Sequence, residues 1–374
     1  MKVKYLTDID QVTALDKQTR SDLKKVTDKF SFRANDYYLS LINWDDPDDP
    51  IRKIVIPDEN ELHHWGALDA SNEAANYVVP GCQQKYRYTA LIIVTEFCGS
   101  YCRFCFRKRL FMEENQEVSG NVAGAIKYIR NHPEINNVLL TGGDALVLST
   151  KNLENVLSEL RSIKHVKIIR IGSKMLAFNP DRIIDDIELH NVISRHSSKE
   201  RRIYFMSHFN HPREITPKSI NAIDILVKAG AVINNQTPIL RGINDDPQTL
   251  AELMRKLSNI GVPPYYFFQC RPTSGNKTFA VPLVKSYMAF EKAKMNVSGL
   301  ARRAKFVMSH ATGKIEIVGV TQDNIYLKYH RARNRNDESR FLVCKRDDSA
   351  YWLNDLTVVG EKPKARSVPI RFLS

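Results

Sequence analysis

No run in this sequence approaches about 18 consecutive apolar residues, so nothing in it predicts a membrane-spanning helix. Its first residues, Met1-Lys-Val-Lys-Tyr-Leu-Thr-Asp-Ile-Asp10, lack the apolar core and cleavage site of a secretory leader. Cysteine is scarce: six among 374 residues is no disulfide framework, and the combination predicts a cytoplasmic, reducing location. No internal repeat of fixed period is visible. Acidic residues are outnumbered, 42 against 55 Lys and Arg, which gives a net charge of +13. The basic clusters, Arg107-Lys-Arg109, Arg201-Arg202, Arg302-Arg303 and Tyr329-His-Arg-Ala-Arg-Asn-Arg335, are scattered, and no recognised nucleic-acid module accompanies them. Nucleic acid is therefore not expected as a partner, whereas an acidic substrate or protein fits the balance. Hydrophobic residues make up 43% of the chain, enough for a sizeable core.

What the sequence does have is Cys98-Gly-Ser-Tyr-Cys102-Arg-Phe-Cys105. An apolar run, Ala90-Leu-Ile-Ile-Val94, precedes it and reads as a buried strand; the basic run Phe106-Arg-Lys-Arg109 follows. Closely spaced thiolates on a loop are the usual ligands of iron–sulfur clusters. Three without a fourth leave one iron of a four-iron cluster open to a small molecule. A structural zinc site is the competing reading, and it needs a fourth Cys or His that no nearby position supplies. Three unrelated buried cysteines are the plainest alternative.

From residue 90 the chain alternates. Strands are expected at 91–94, 137–140, 166–171, 203–207, 232–235, 264–269 and 305–308. Helices are expected between them at 120–131, 151–163, 181–186, 217–228, 247–260 and 283–298. This is the pattern of an α/β fold with a parallel sheet and right-handed crossovers, a partial or full parallel (β/α) barrel. Chemistry in such folds gathers at the C-terminal ends of the strands. Residues 1–88 read as a mostly helical N-terminal extension, with Ser21 capping a helix to Phe30 and an extended piece at 51–57. Residues 89–314 form the barrel. Residues 315–374 read as a small β-rich appendage with strands at 315–320, 325–329, 340–344 and 351–353.

The cysteine spacing resembles the signature of radical S-adenosylmethionine (SAM) enzymes. Thr141-Gly-Gly-Asp144, at the end of the next expected strand, resembles their loop for the amino group of SAM, with Gly142 and Gly143 letting backbone amides approach a ligand. More specifically, Ile169-Arg-Ile-Gly-Ser173, Ser207-His-Phe-Asn-His-Pro212, Asn235-Gln-Thr-Pro-Ile-Leu-Arg-Gly-Ile-Asn-Asp245 and Phe268-Gln-Cys270 are similar to stretches of the lysine 2,3-aminomutase family. The likeness runs from about residue 20 to about residue 320. It implies the fold of a radical SAM barrel and an isomerase that moves an amino group from C2 to C3 of an amino acid. It implies that Cys98, Cys102 and Cys105 hold a 4Fe–4S cluster, and that Gly142, Gly143, Asp144, His208 and Gln236 lie at SAM. It implies that Lys314 joins pyridoxal 5′-phosphate (PLP), with Lys85, Tyr86 and Arg87 at the phosphate and Arg107 on the substrate α-carboxylate.

Departures from the family pattern bear on the substrate. Lysine-specific members place an aspartate after the Gln-Cys pair, where this chain has Arg271, and another just before the PLP lysine, where Val307-Met-Ser-His310 offers none. Exchanging an anion for a cation predicts rejection of lysine and an acidic or non-cationic substrate, glutamate or aspartate first. The family's glycine run before the lysine is reduced to Gly313, which keeps a PLP-independent radical SAM enzyme open. A non-enzymatic iron–sulfur protein is a further alternative. Asp246 stands where some members have a zinc-binding cysteine, so no zinc is expected. Expected partners are a small amino acid and an electron donor such as a flavodoxin or ferredoxin; some relatives feed their product to a translation factor, and a homo-oligomer is compatible.

Overall fold

Alternation of apolar residues at period two, interrupted by helices with one apolar stripe, builds this structure. The computed structural model describes residues 3–112, 117 and 122–360. Strands β1 (Tyr5–Leu6) and β2 (Ala34–Asn35) form a small antiparallel pair. The main sheet has twelve strands in sequence order. They are β3 (Tyr77–Val79), β4 (Cys82–Tyr86), β5 (Thr89–Thr95), β6 (Asn137–Gly142), β7 (Ile168–Ser173), β8 (Ile203–Ser207), β9 (Val232–Ile239), β10 (Pro264–Gln269), β11 (Lys305–His310), β12 (Gly313–Val320), β13 (Asn324–Ala332) and β14 (Phe341–Lys345). From β5 to β11 every neighbour is parallel; β3 and β4 flank that block antiparallel on one side, β12 to β14 on the other. The sheet continues past residues 88 and 314 without interruption.

Each parallel strand sorts its side chains to two faces. Val138 and Leu140 of β6, with Ile169 and Ile171 of β7, join the core beneath the helices Thr150–Ser162 and Pro217–Lys228. Their neighbours Leu139, Thr141, Arg170 and Gly172 face a cavity on the other side. Arginine in a strand interior is explicable only on that second face. The flanks of the sheet meet through side chains: Lys85 Nζ donates to the carbonyl of His310, Ser71 Oγ to that of Ser309 (2.8 Å), and Arg331 to Thr89 Oγ1 (3.3 Å).

Most expected elements are present with ends shifted by a few residues. The helix Pro217–Lys228 and strand β10 are as expected, because proline and capping residues mark their starts. Five expectations change. The first helix is Lys17–Lys29, capped by Asp16 and not by Ser21, which lies inside it. Residues Pro50–Val55 are helical, not extended: Asp49 accepts from Ile51 N and Arg52 N, and Pro50 occupies the first turn. Residues 59–65, expected as part of the helical extension to form a helix, make only a 3-10 turn, Glu59–Leu62. After the turn Asp181–Ile184 a second helix, Ile187–His196, replaces the expected short loop. No strand forms at 351–353; Leu353–Asp355 is a 3-10 turn. The start of the expected 120–131 helix lies outside the described residues, which begin it at Ala123.

Gly142 sits at φ +133°, and a Cβ there would lie 2.2 Å from the carbonyl oxygen of Thr95. Gly142→Ala is expected to cost at least about 2 kcal/mol in urea unfolding, through backbone strain and overlap together. Gly124→Ala, in a helix with nothing within 4 Å of the new methyl, should be neutral or stabilising by up to about 1 kcal/mol.

Candidate active site

The C-terminal ends of the parallel strands and the loops beyond them surround a cavity of about 360 Å³. Cys98, Cys102 and Cys105, from the loop after β5, line it together with Gly142, Gly143, Asp144, His208, Gln236, Lys85, Tyr86, Arg107, Arg271 and Lys314. Arg87 does not: it is exposed in the turn after β4, its guanidinium 5.5 Å from the ring of Tyr88. Residues scattered over 230 positions of sequence thus share one space, and only Arg87 of the expected set lies apart.

The N-terminal extension holds the cysteine loop in shape. Tyr101 N donates to Arg33 O (2.8 Å), Arg103 N to Ile54 O (2.8 Å), and Asn35 Nδ2 to Gly99 O (3.2 Å). Arg103, between two of the cysteines, makes a buried two-point pair with Glu61 (2.8 and 2.9 Å). Cys105 N closes a turn onto Cys102 O (3.0 Å), and Arg107 N points at Cys105 Sγ (3.4 Å). All three thiols are free, and burial pushes each of them up, so positive metal is what would keep them as thiolates. Among the described residues no three His, Cys, Asp or Glu side chains converge on a single ion. A polynuclear cluster needs no such convergence, and three free thiols on one cavity wall fit it.

The Gly-Gly-Asp loop works differently from expectation. The amides of Gly143 and Asp144 donate to the carbonyls of Thr95 (2.7 Å) and Phe97 (2.8 Å), so they are already committed. The Asp144 carboxylate accepts from Leu146 N (2.9 Å) and Lys174 N (2.6 Å), tying the ends of β6 and β7 together. These residues lock the cysteine loop against the neighbouring strand. Beyond β8, burial and the Lys174 ammonium hold His208 down to about 3, so its imidazole is neutral. Lys174 itself is buried on Glu214 (2.5 Å), Asn210 Oδ1 (2.8 Å) and the carbonyl of His208 (2.7 Å). On β9, Asn235 is fastened to Ser207 and Phe209, while the side chain of Gln236 makes no hydrogen bond among the described residues.

Charge dominates the other half of the cavity. Glu73, absent from the sequence-based set, accepts from Arg107 Nε (3.0 Å), Arg109 (3.0 Å) and Arg271 (3.2 Å). Burial alone would raise its pKa, but the Arg107 and Arg271 charges outweigh that and hold it far below the usual carboxylate range. Arg271 also stacks on Phe106 at 3.7 Å. Lys314 extends from β12 over Tyr266 (4.2 Å) and Phe268 (4.5 Å). Burial first, then the charges of Arg271, Arg170, Arg331 and Lys85, push its amine well below an ordinary lysine. Burial and the Arg271 charge bring Lys85 down to about 8. Gly313 is small for a packing reason: a Cβ there would lie 2.3 Å from Arg331 O on β13. Arg170 and Arg331 also went unnoticed, although Arg170 lies in a motif and Arg331 in a basic cluster of the sequence.

Replacing Glu73 by Gln leaves three guanidinium groups without their shared anion. The expected cost is about 3–5 kcal/mol at neutral pH. The wild-type carboxyl is depressed from 4.5, so its contribution is complete above that pH and is lost as pH falls below it. Unfolding measured from pH 7 to pH 3 should therefore show the gap between wild type and Glu73→Gln narrowing only on the acid side.

No family model matches the sequence. A protein of Aquifex aeolicus (strain VF5) named "Putative L-lysine 2,3-aminomutase" is 53% identical over 357 residues, covering 95% of this chain and 96% of its own length. The L-lysine 2,3-aminomutase of Clostridium subterminale is 35% identical over 301 residues, 80% of this chain and 71% of its own. The glutamate 2,3-aminomutase of Clostridioides difficile (strain 630) is 36% identical over 303 residues, 79% and 70% respectively. Enzymes of this kind are isomerases that work with a 4Fe–4S cluster, SAM and PLP. Extensive identity across the cavity-building core leads to one conclusion: the chain belongs to the lysine 2,3-aminomutase family of radical SAM enzymes.

Proposed function

We propose that this chain moves an amino group from C2 to C3 of an amino acid whose side chain is acidic or uncharged, with glutamate and aspartate the first candidates. One observation carries the reading. Seven cations line the cavity (Lys85, Arg107, Arg170, Lys174, Arg271, Lys314 and Arg331) against two carboxylates, Glu73 and Asp144. Both carboxylates are committed, one to three arginines and the other to backbone amides. A lysine side chain would bring another ammonium with no acceptor of opposite charge. Two like charges about 4 Å apart cost roughly 1 kcal/mol in water and several in a partly dry site. A relative named for glutamate is 36% identical, beside 35% for one named for lysine and 53% for one named putative L-lysine 2,3-aminomutase.

Within this reading Cys98, Cys102 and Cys105 hold the cluster. His208 and Gln236 face SAM across the loop Gly142–Asp144, whose committed amides leave it only carbonyls to offer an ammonium. Lys314 holds PLP. When bound, these groups supply hydrogen-atom abstraction and a carrier for the migrating nitrogen. The chain's own residues do the rest. Burial, then the surrounding cations, lower the proton affinity of the Lys314 amine and so favour its nucleophilic free form. Arg107, whose Nε and Nη2 are held by Glu73 and whose Nη1 donates to Thr141 Oγ1 (3.3 Å), turns its remaining Nη1 and Nη2 N–H groups to the α-carboxylate. Arg271 stands at the far end, sharing Glu73, so an incoming side-chain carboxylate meets a net positive cluster. Phe104, Phe106 and Phe268 limit water around these charges. We read the curved sheet as a partial barrel of the radical SAM type. The chemistry also calls for a one-electron donor such as a flavodoxin or ferredoxin in a cytoplasmic setting. No helix of the described residues is long and apolar enough to cross a membrane.

Two experiments test this. The anaerobically reconstituted protein, given reductant and SAM, should turn over glutamate or aspartate at least about tenfold faster than lysine; faster turnover of lysine contradicts the substrate assignment. Lys314→Ala should retain its iron yet lose borohydride-fixable PLP, read by mass spectrometry of the reduced protein.

A further inference from the structure

Four cations of the cavity wall, Lys85, Arg170, Lys314 and Arg331, have no carboxylate within ion-pairing distance among the described residues. Lys85 donates to the carbonyl of His310, and Arg170 Nε to Asn137 Oδ1 (2.8 Å). Arg331 donates to Thr89 Oγ1 and lies over the ring of Tyr86 at 4.1 Å. Buried charges usually find a partner, because leaving water without one is costly. These four are half-buried and find none among the described residues, and they line one cavity.

The register makes the arrangement more pointed. Lys314 and Arg331 are direct partners across the antiparallel pair β12–β13. Like charges facing each other across such a pair are destabilising. The pairing exists because the register slips between Lys314, opposite Arg331, and Ile315, opposite Tyr329, which leaves His330 as an extra residue. Bulges of this kind re-aim side chains next to active sites. Without it the alternation of β13 would shift by one.

Resting on the reading of Lys314 given above, we infer that Arg331, with Lys85 and Arg170, seats the phosphate dianion of PLP. The Arg331 guanidinium, held 4.1 Å from the Tyr86 ring and spending one N–H on Thr89 Oγ1, has further N–H groups that suit phosphate oxygens. The dianion relieves the repulsion between Arg331 and Lys314, and Arg331 takes the role expected of Arg87, which lies outside the cavity. The hairpin of β12 and β13 then contributes both ends of the cofactor site: the lysine for its ring and the arginine for its phosphate.

Arg331 also braces the two flanks of the sheet, so the test must separate binding from architecture. The full-length, cluster-reconstituted protein is dialysed to equilibrium against PLP and, separately, against pyridoxal, which lacks the phosphate. Arg331→Met should weaken PLP by roughly ten- to a hundredfold, the range expected for lost charge-assisted hydrogen bonds, and weaken pyridoxal far less, only through the rise in the Lys314 amine's proton affinity. Arg331→Lys, which keeps the charge without the fork, should fall between. Unchanged PLP affinity overturns the inference. So does equal weakening of PLP and pyridoxal, the signature of a brace that shapes the site only indirectly. Wild-type protein that binds neither compound at Lys314 overturns the cofactor reading itself, a result distinct from the other two.

Discussion

Excess buried positive charge is the constraint on which this structure turns. Three guanidinium groups share the single carboxylate of Glu73, and four further cations of the cavity wall stand without one among the described residues. Such an arrangement is unfavourable in an empty protein and favourable once anions enter. It lowers the proton affinity of Lys314, draws carboxylates and phosphates inward, and repels ammonium side chains. Cofactor attachment, substrate orientation and substrate choice therefore follow from one electrostatic feature.

Both ends of the chain are needed to build it. The N-terminal extension grips the cysteine loop through Arg33, Asn35, Ile54 and Glu61, and it contributes Glu73. The parallel strands supply Arg170, His208, Gln236 and Arg271 at or near their C-terminal ends. The antiparallel hairpin after β11 supplies Lys314 and Arg331. Curvature of the sheet brings the two flanks within hydrogen-bonding distance, so the cavity is closed by residues more than 200 positions apart, as in the contact between Thr89 and Arg331.

Much of this was legible in the sequence because its signals are local. Cys98, Cys102 and Cys105 stand within eight positions, and proline after a capping residue announces Pro217–Lys228. The alternation of strands and helices carries the parallel sheet. What stayed hidden depends on long-range contact. Nothing near Glu73 announces that three arginines converge on it, and Arg331 looks like one basic residue in a scattered cluster until β13 pairs with β12. Arg87 misled for the same reason: sequence neighbours Lys85 and Arg87 point to opposite environments at the end of a strand. At Gly142 and Gly143 a need for close backbone approach was legible, but not that the approach is made to the backbone of Thr95 and Phe97.

The central claim is that burial and the surrounding cations hold the Lys314 amine well below an ordinary lysine in proton affinity. Competitive acylation of the cofactor-free protein across a pH series, read peptide by peptide in a mass spectrometer, measures that directly. The account predicts that Lys314 becomes reactive at a pH well below the exposed lysines, such as Lys228 and Lys285, and that Arg331→Met moves its transition upward. A Lys314 that titrates together with those surface lysines would contradict it.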